Sequence, residues 1–170
     1  MLFRSLLCPL SASKSVTLEH LTPIVAARQA AGEKFVFTNG VFDILHVGHV
    51  RYLAEARALG NALIVAVNSD SSVRRLKGDL RPIVPEDERM EMLASLSCVD
   101  YVLLFHTPTP EPLIQILQPA LYVKGGDYRE EDLPEARIVR GYGGEVGILS
   151  LIQGRSTTDI IARICAAYGS

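Results

Sequence analysis

Two histidines three residues apart with a glycine between them, His46-Val47-Gly48-His49, carry the spacing that first suggests chemistry. They follow Thr38-Asn39-Gly40-Val41-Phe42-Asp43-Ile44-Leu45, which reads as a strand end spilling into a glycine-containing polar turn before a helix opens at Val47. In an open α/β sheet such a junction is where ligands bind. Free backbone N–H groups and the positive end of the helix dipole favour an anion there, typically phosphate. Both imidazoles are placed to donate to phosphoryl oxygens whose charge rises in a transition state. Gly48 is small enough for a phosphate to approach the backbone closely. Two other readings stand beside this one. The pair could be zinc ligands on one helix face, although no third ligand with metal-site spacing is evident, or a hydrogen-bonded pair without a catalytic role.

Elements that would position this corner follow from the apolar pattern. Leu18, Leu21, Ile24 and Val25 recur at near-helical spacing within 17–31 before Gly32 stops them. Phe35-Val36-Phe37 and Leu63-Ile64-Val65-Ala66-Val67 are short continuous apolar runs, as in parallel strands buried on both faces. Further strands are expected at 99–105, 120–123 and 145–149. Helices are expected at 47–59, 86–96, 111–117, 133–141 and from Ser156 to about Ala167. The alternation implies an α/β fold: a doubly wound, Rossmann-like parallel sheet of about five strands, with helices on both faces and right-handed crossovers. Residues 1–15 are read as a flexible tail and 16–170 as a single domain.

In such a sheet the segments after the strands gather on one edge: 39–49, 68–81, 124–128 and 153–158. The run Arg74-Arg75-Leu76-Lys77-Gly78-Asp79-Leu80-Arg81 is either a solvated face or a mobile loop, and beside a phosphate corner it is expected to act as a lid. Lys124-Gly125-Gly126-Asp127-Tyr128 is a strand-ending turn in which Asp127 could accept from ribose hydroxyls. Gly154-Arg155-Ser156-Thr157-Thr158 at a helix start is a second anion site, or else an ordinary cap without the acidic partner of a capping box. His20 and His106 fall outside these clusters and are read as structural.

Composition narrows the class. A chain of 170 residues can bury roughly 70% of its unfolded surface without a disulfide or metal staple. The formal net charge of −2 offers no basic excess for a nucleic-acid polymer, and no apolar stretch approaches the roughly 20 residues that span a bilayer. Cys8, Cys98 and Cys165 are odd in number without C-x-x-C spacing, so a reducing cytoplasm is expected.

The stretch 38–43 with its H-x-G-H element resembles the signature of the cytidylyltransferase-like nucleotidyltransferases. A closer resemblance is to the bacterial D-glycero-β-D-manno-heptose 1-phosphate adenylyltransferases. It extends through Val67-Asn68-Ser69-Asp70, the 74–82 run, Val123 to Tyr128, Gly143-Gly144-Glu145-Val146 and Ser156-Thr157-Thr158-Asp159-Ile160-Ile161. This implies transfer of AMP from ATP to a sugar 1-phosphate, releasing pyrophosphate, with Mg²⁺ carried by phosphates and few protein ligands, in supply of the lipopolysaccharide core. It also implies a homodimer and a separate sugar kinase. Where the wider superfamily often carries an arginine in the last helix, this chain has Ile161, with Arg155 before the serine and Arg163 two residues further on; Arg155, at the helix start, is assigned.

On this reading His46, His49 and Lys77 are the catalytic residues, acting by positioning and charge stabilisation. The nucleotide side is built from Thr38, Asn39, Gly40, Phe42 and Gly48 of the first loop. Lys124, Gly125 and Asp127 of the second, and Arg155, Ser156 and Thr157 of the third, complete it. Asp43, Asn68, Asp70 and Arg81 would shape the acceptor side. Two alternatives remain open: a cytidylyltransferase acting on glycerol 3-phosphate or another small phosphate, and a nucleotide-binding regulator without turnover. The ribose assignment predicts that Asp127→Ala raises the KM for ATP first; an effect confined to the sugar KM in steady-state kinetics would contradict it.

Overall fold

The apolar runs form the five strands expected of them in a computed structural model, which describes residues 13–126, 129, 132–150 and 156–169. Strands β1 (Phe35–Gly40), β2 (Ala62–Asn68), β3 (Tyr101–Phe105), β4 (Leu121–Gly125) and β5 (Glu145–Leu149) alternate with helices. These are α1 (Leu18–Ala30), α2 (Val47–Ala58), α3 (Asp70–Lys77), α4 (Glu86–Ala94), α5 (Glu111–Leu117), α6 (Pro134–Gly141) and α7 (Thr157–Tyr168). All strand pairings are parallel, in the order β3-β2-β1-β4-β5. Asp127 and Arg155 lie outside the described residues, as does most of the expected tail. The segment 13–16 is tied to the edge of the sheet: Ser15 bridges Val102, and Lys14 donates to the Leu96 carbonyl at 2.9 Å.

Alternation along each strand builds two cores. Phe35, Phe37, Ile64 and Leu103 point to the face covered by α1, α5 and α6. Val36, Leu63, Val65 and Val102 point to the face covered by α2 and α4. Register is set locally as well: Asn61 N–H donates to Lys34 O at 2.7 Å and Asn61 Oδ1 accepts from Lys34 N–H at 2.8 Å. Gly60 makes this approach possible, since a Cβ there would stand 2.7 Å from the Lys34 carbonyl. Chain order runs outward from β1 through β2 to β3, then returns to β4 on the other side of β1, so successive crossovers leave the sheet in opposite directions between β1 and β4. Backbone pairing between these two strands covers only Val36↔Leu121 and Phe37↔Tyr122, and beyond it their carboxyl ends part.

The basic run expected as a lid loop begins as helix: residues 74–77 form the last turn of α3, and 78–81 follow it as a turn. Ser69 caps α3 by accepting from Ser72 N–H, with Asp70 in the first turn and Arg74, Arg75 and Lys77 in the last, the charge order that suits the helix dipole. Arg75 donates to the His106 carbonyl at 2.8 Å. The segment that follows is pinned, because Asp43 pairs with Arg81 and accepts from the Ile83 and Val84 N–H groups, both at 2.8 Å.

Arg89 of α4 is the largest fully buried side chain in the described structure. Its guanidinium donates to the carbonyls of Val84 (2.9 Å), Val41 (2.6 Å) and Asn68 (2.8 Å) and to Asp70 Oδ1 (2.8 Å). One cation thereby fastens the loops after β1 and β2 to the start of α4. Arg89→Met leaves those acceptors buried and unserved, and is expected to cost about 3–5 kcal/mol in urea unfolding; a cost under about 1 kcal/mol would show that water replaces the guanidinium.

Candidate active site

A cavity of about 390 Å³ opens where β1 and β4 diverge. Its lining brings together Asn39, Gly40 and Phe42 from the first loop, His49 from α2, Asn68 from β2 and Lys77 from α3. Lys124 and Gly125 enter from β4. The expected convergence of strand-end segments is therefore present for the 39–49, 68–81 and 124–126 segments.

The floor is the amino end of α2. His46 is its N-cap residue but forms no side-chain cap, and no acid stands in the first turn. Thr17 caps α1, Ser69 caps α3 and Ser156 caps α7, while α4, α5 and α6, which lack a side-chain cap, carry an acid in the first turn. The first-turn amides of α2 thus keep their capacity for an anion. His49 stacks on His46 with ring centroids 3.9 Å apart and 26° between planes. Phe42 meets His49 edge-on at 5.3 Å. His49 Nδ1 is buried without a hydrogen-bond partner among the described residues. Phe42 reaches its position with φ at 51°, a left-handed backbone uncommon outside glycine. Gly40 leaves room for the Phe42 ring, which a Cβ would approach to 3.0 Å.

On the opposite wall, Asn39 Oδ1 accepts from Tyr122 Oη at 2.8 Å and from Lys124 Nζ at 3.1 Å. Its NH₂ is then its remaining donor group. Burial pushes the Lys124 ammonium below its ordinary pKa, against a smaller upward pull from the Glu135 charge. Tyr52, absent from the sequence reading, lines the cavity and ties α2 to the sheet through Thr38 Oγ1 (2.6 Å) and the Val123 carbonyl (3.1 Å). Burial pushes its phenol well up, so it holds its proton there.

Several expected site residues have structural partners. Thr38 is fully buried and its hydroxyl is engaged by Tyr52. Asp43 is 1% exposed and its carboxylate is taken up by Arg81 and two backbone N–H groups. Asp70 is bound to Arg89, and the Asn68 side chain donates to Ser72 Oγ at 3.1 Å. These four shape the cavity by holding its walls. Gly48 is buried in the first turn of α2. Ser156 does have an acidic capping partner, contrary to the sequence reading: Asp159 accepts from both the Ser156 N–H and hydroxyl, while its own N–H donates to Ser156 Oγ. Asp serves at that position as Glu or Gln would. Thr157 begins α7, and Arg163 is exposed on it. Lys77, though exposed, does line the cavity. Arg89 and Glu135 were also missed by the sequence reading; each lies in a helix whose charge pattern resembles a solvated face, and no local signal marks either as buried.

Burial, with a smaller contribution from His46, pushes the His49 pKa from 6.5 down to about 4. His49 is therefore neutral at pH 7 and donates from a single ring nitrogen. With the folded value depressed, the unfolded chain takes up the proton first, so stability held above pH 6.5 is lost as pH falls toward about 4. Phe42→Ala opens the ring to water and is expected to raise the midpoint by about one unit or more in an NMR titration of the imidazole C–H signals; a midpoint within about half a unit of the parent would show that Phe42 does not desolvate it.

The profile of the cytidylyltransferase-like family matches residues 37–163, from β1 into α7. The chain is 50% identical over 159 residues to the bifunctional protein HldE of Geobacter metallireducens, covering 94% of this chain and 32% of that one. It is 55% identical over 144 residues to the bifunctional protein HldE of Cronobacter sakazakii, covering 85% and 30%. The chain thus spans about a third of the length of these relatives. A crystal structure of the lipopolysaccharide core biosynthesis protein from Thermoplasma volcanium GSS1 superposes with a TM-score of 0.58 at 32% identity, covering 71% of this chain and 98% of that one. With its histidine-bearing helix start at the β1/β4 divergence and a matching profile across most of its length, the chain belongs to the cytidylyltransferase-like family.

Proposed function

We propose that this chain is an adenylyltransferase that transfers AMP from ATP to D-glycero-β-D-manno-heptose 1-phosphate, giving ADP-heptose and pyrophosphate for the lipopolysaccharide core. The observation that carries the phosphate chemistry is the uncapped start of α2 with neutral His49 stacked on His46. The substrate assignment rests on the motif resemblance of residues 38–161, on the HldE relatives and on the lipopolysaccharide core protein of similar fold.

An oxygen of the sugar phosphate attacks the α-phosphorus in line with the bond to the β-phosphate. The new P–O bond forms as the α–β bridge breaks, and pyrophosphate leaves with the bond's electrons. Because the attacking phosphate is already ionised at neutral pH, no general base is required. Catalysis consists of orientation and of donors aimed at growing negative charge. His46, His49 and the first-turn amides of α2 hold the reacting phosphates, and Lys77 covers them from α3. Arg155 is assigned to the leaving pyrophosphate and Asp127 to ribose.

Among the described residues no group of three or more His, Cys, Asp or Glu side chains could hold a metal ion. Mg²⁺ would thus be bound mainly by the nucleotide's phosphates, whose charge it neutralises, a mode usual for this ion. A phosphate monoester as acceptor requires a prior phosphorylation, which a separate sugar kinase would supply, and we expect the enzyme to act as a homodimer in the cytoplasm.

The test is pyrophosphate release with ATP or CTP crossed against heptose 1-phosphate or glycerol 3-phosphate. Turnover is expected for the ATP and heptose 1-phosphate pair, and preference for CTP with glycerol 3-phosphate would overturn the assignment. His49→Ala is expected to lower kcat by about 10²–10³, the scale of losing one preorganised donor; a loss under about threefold in a folded variant would remove His49 from the mechanism.

A further inference from the structure

One acid in the cavity has no role in the scheme above. Glu135, in the first turn of α6, is 6% exposed and lines the cavity, yet it forms no hydrogen bond or ion pair with any described residue. Lys124 shares the cavity, its ammonium held by Asn39 at 3.1 Å. The two opposite charges feel each other without closing into an ion pair. Each is held by its own anchor, Lys124 at the end of β4 and Glu135 by α6, where the helix dipole favours a carboxylate.

The Glu135 carboxylate faces the cavity with its acceptor positions untaken by any described residue, so a donor that enters the cavity can bind it. The group that completes this site must donate to Glu135 and accept from Lys124. Phosphate would suit Lys124 but be repelled by Glu135, and an ammonium the reverse. A hydroxyl does both, since its proton goes to the carboxylate and its oxygen accepts from the ammonium. A vicinal pair spans two such groups held apart.

Resting on the nucleotidyltransferase reading, we propose that Glu135 and Lys124 form a diol-reading subsite that selects a sugar by two neighbouring hydroxyls. Two sources carry that chemistry, the ribose of the nucleotide and the sugar of the acceptor. Glu135 is then a specificity residue, and the phosphate-binding groups at the start of α2 are separate from it.

Calorimetric titration of the full chain and of its Glu135→Gln and Glu135→Ala variants separates the sources. The ligands are ATP, 2′-deoxy-ATP, 3′-deoxy-ATP and heptose 1-phosphate. Glu135→Gln exchanges a charged acceptor for a neutral one and is expected to weaken the ligand whose hydroxyls are read by about tenfold. If ribose is read, the deoxy analogues bind the parent more weakly than ATP, and that difference shrinks in both variants. If the acceptor is read, only heptose 1-phosphate weakens. In the pyrophosphate assay the same substrate's KM rises while kcat stays within about threefold, whereas loss of a merely structural acid lowers Tm and leaves both parameters unmoved. Affinities within twofold of the parent for all four ligands overturn the subsite; should Glu135→Ala not fold, the Glu135→Gln comparison decides alone. Because binding is read without turnover, absence of pyrophosphate from the parent would count against the proposed reaction and leave the subsite to be judged on affinity.

Discussion

The guanidinium of Arg89 holds the frame in which the rest of the site is built. A cation with no exposure to water is tolerable only when its donors are answered, and here three carbonyls and one carboxylate answer them. Those acceptors belong to the loop after β1, the end of β2, the start of α3 and the entry to α4. None of these segments can shift independently without stranding the charge. Asp43 performs the complementary task with an anion, drawing in Arg81 and two backbone N–H groups from the segment before α4. The β2 side of the cavity is thus a frame in which charge is already matched.

On the β4 side the pattern reverses. Lys124 and Glu135 face the same space without an ion pair, and Asn39 Oδ1 is the acceptor that holds the lysine. At the centre, the start of α2 carries neither a side-chain cap nor an acid, and His49 presents a buried nitrogen without a partner among the described residues. Matched charge builds the scaffold, and the unmatched polar groups gather around the cavity.

The histidine pair shows how packing sets chemistry. His49 is buried, with Phe42 edge-on at 5.3 Å, and to a smaller extent the His46 ring stacked at 3.9 Å makes a second charge there costly. His49 is held neutral as a result, so its donor is available near pH 7 without depending on a proton from solution. On the proposed reading, the positive field for the phosphates would come from the start of α2 and from Lys77, while the imidazoles would contribute aimed hydrogen bonds.

Much was legible from the chain itself. Continuous apolar runs marked β1 and β2 because parallel strands are buried on both faces, and glycines marked the ends of α1 and α2. The H-x-G-H spacing placed both imidazoles on the first turn of one helix, since i and i+3 share a face. These are local properties, decided by periods of two and 3.6 residues and by the conformational range of glycine. The helix that takes the first half of the basic run was missed because its apolar stripe is thin and its start is fixed by the Ser69 cap and by Asp70 at the dipole's positive end. Only the tertiary structure decided that Asp43, Asn68 and Asp70 hold walls, that Arg89 is buried, and that Glu135 enters the same cavity as Lys124. Such assignments depend on which charges meet across 40 residues or on which face of a helix meets the sheet. A sequence states where charges lie along the chain, and the fold alone determines which of them are neutralised in space.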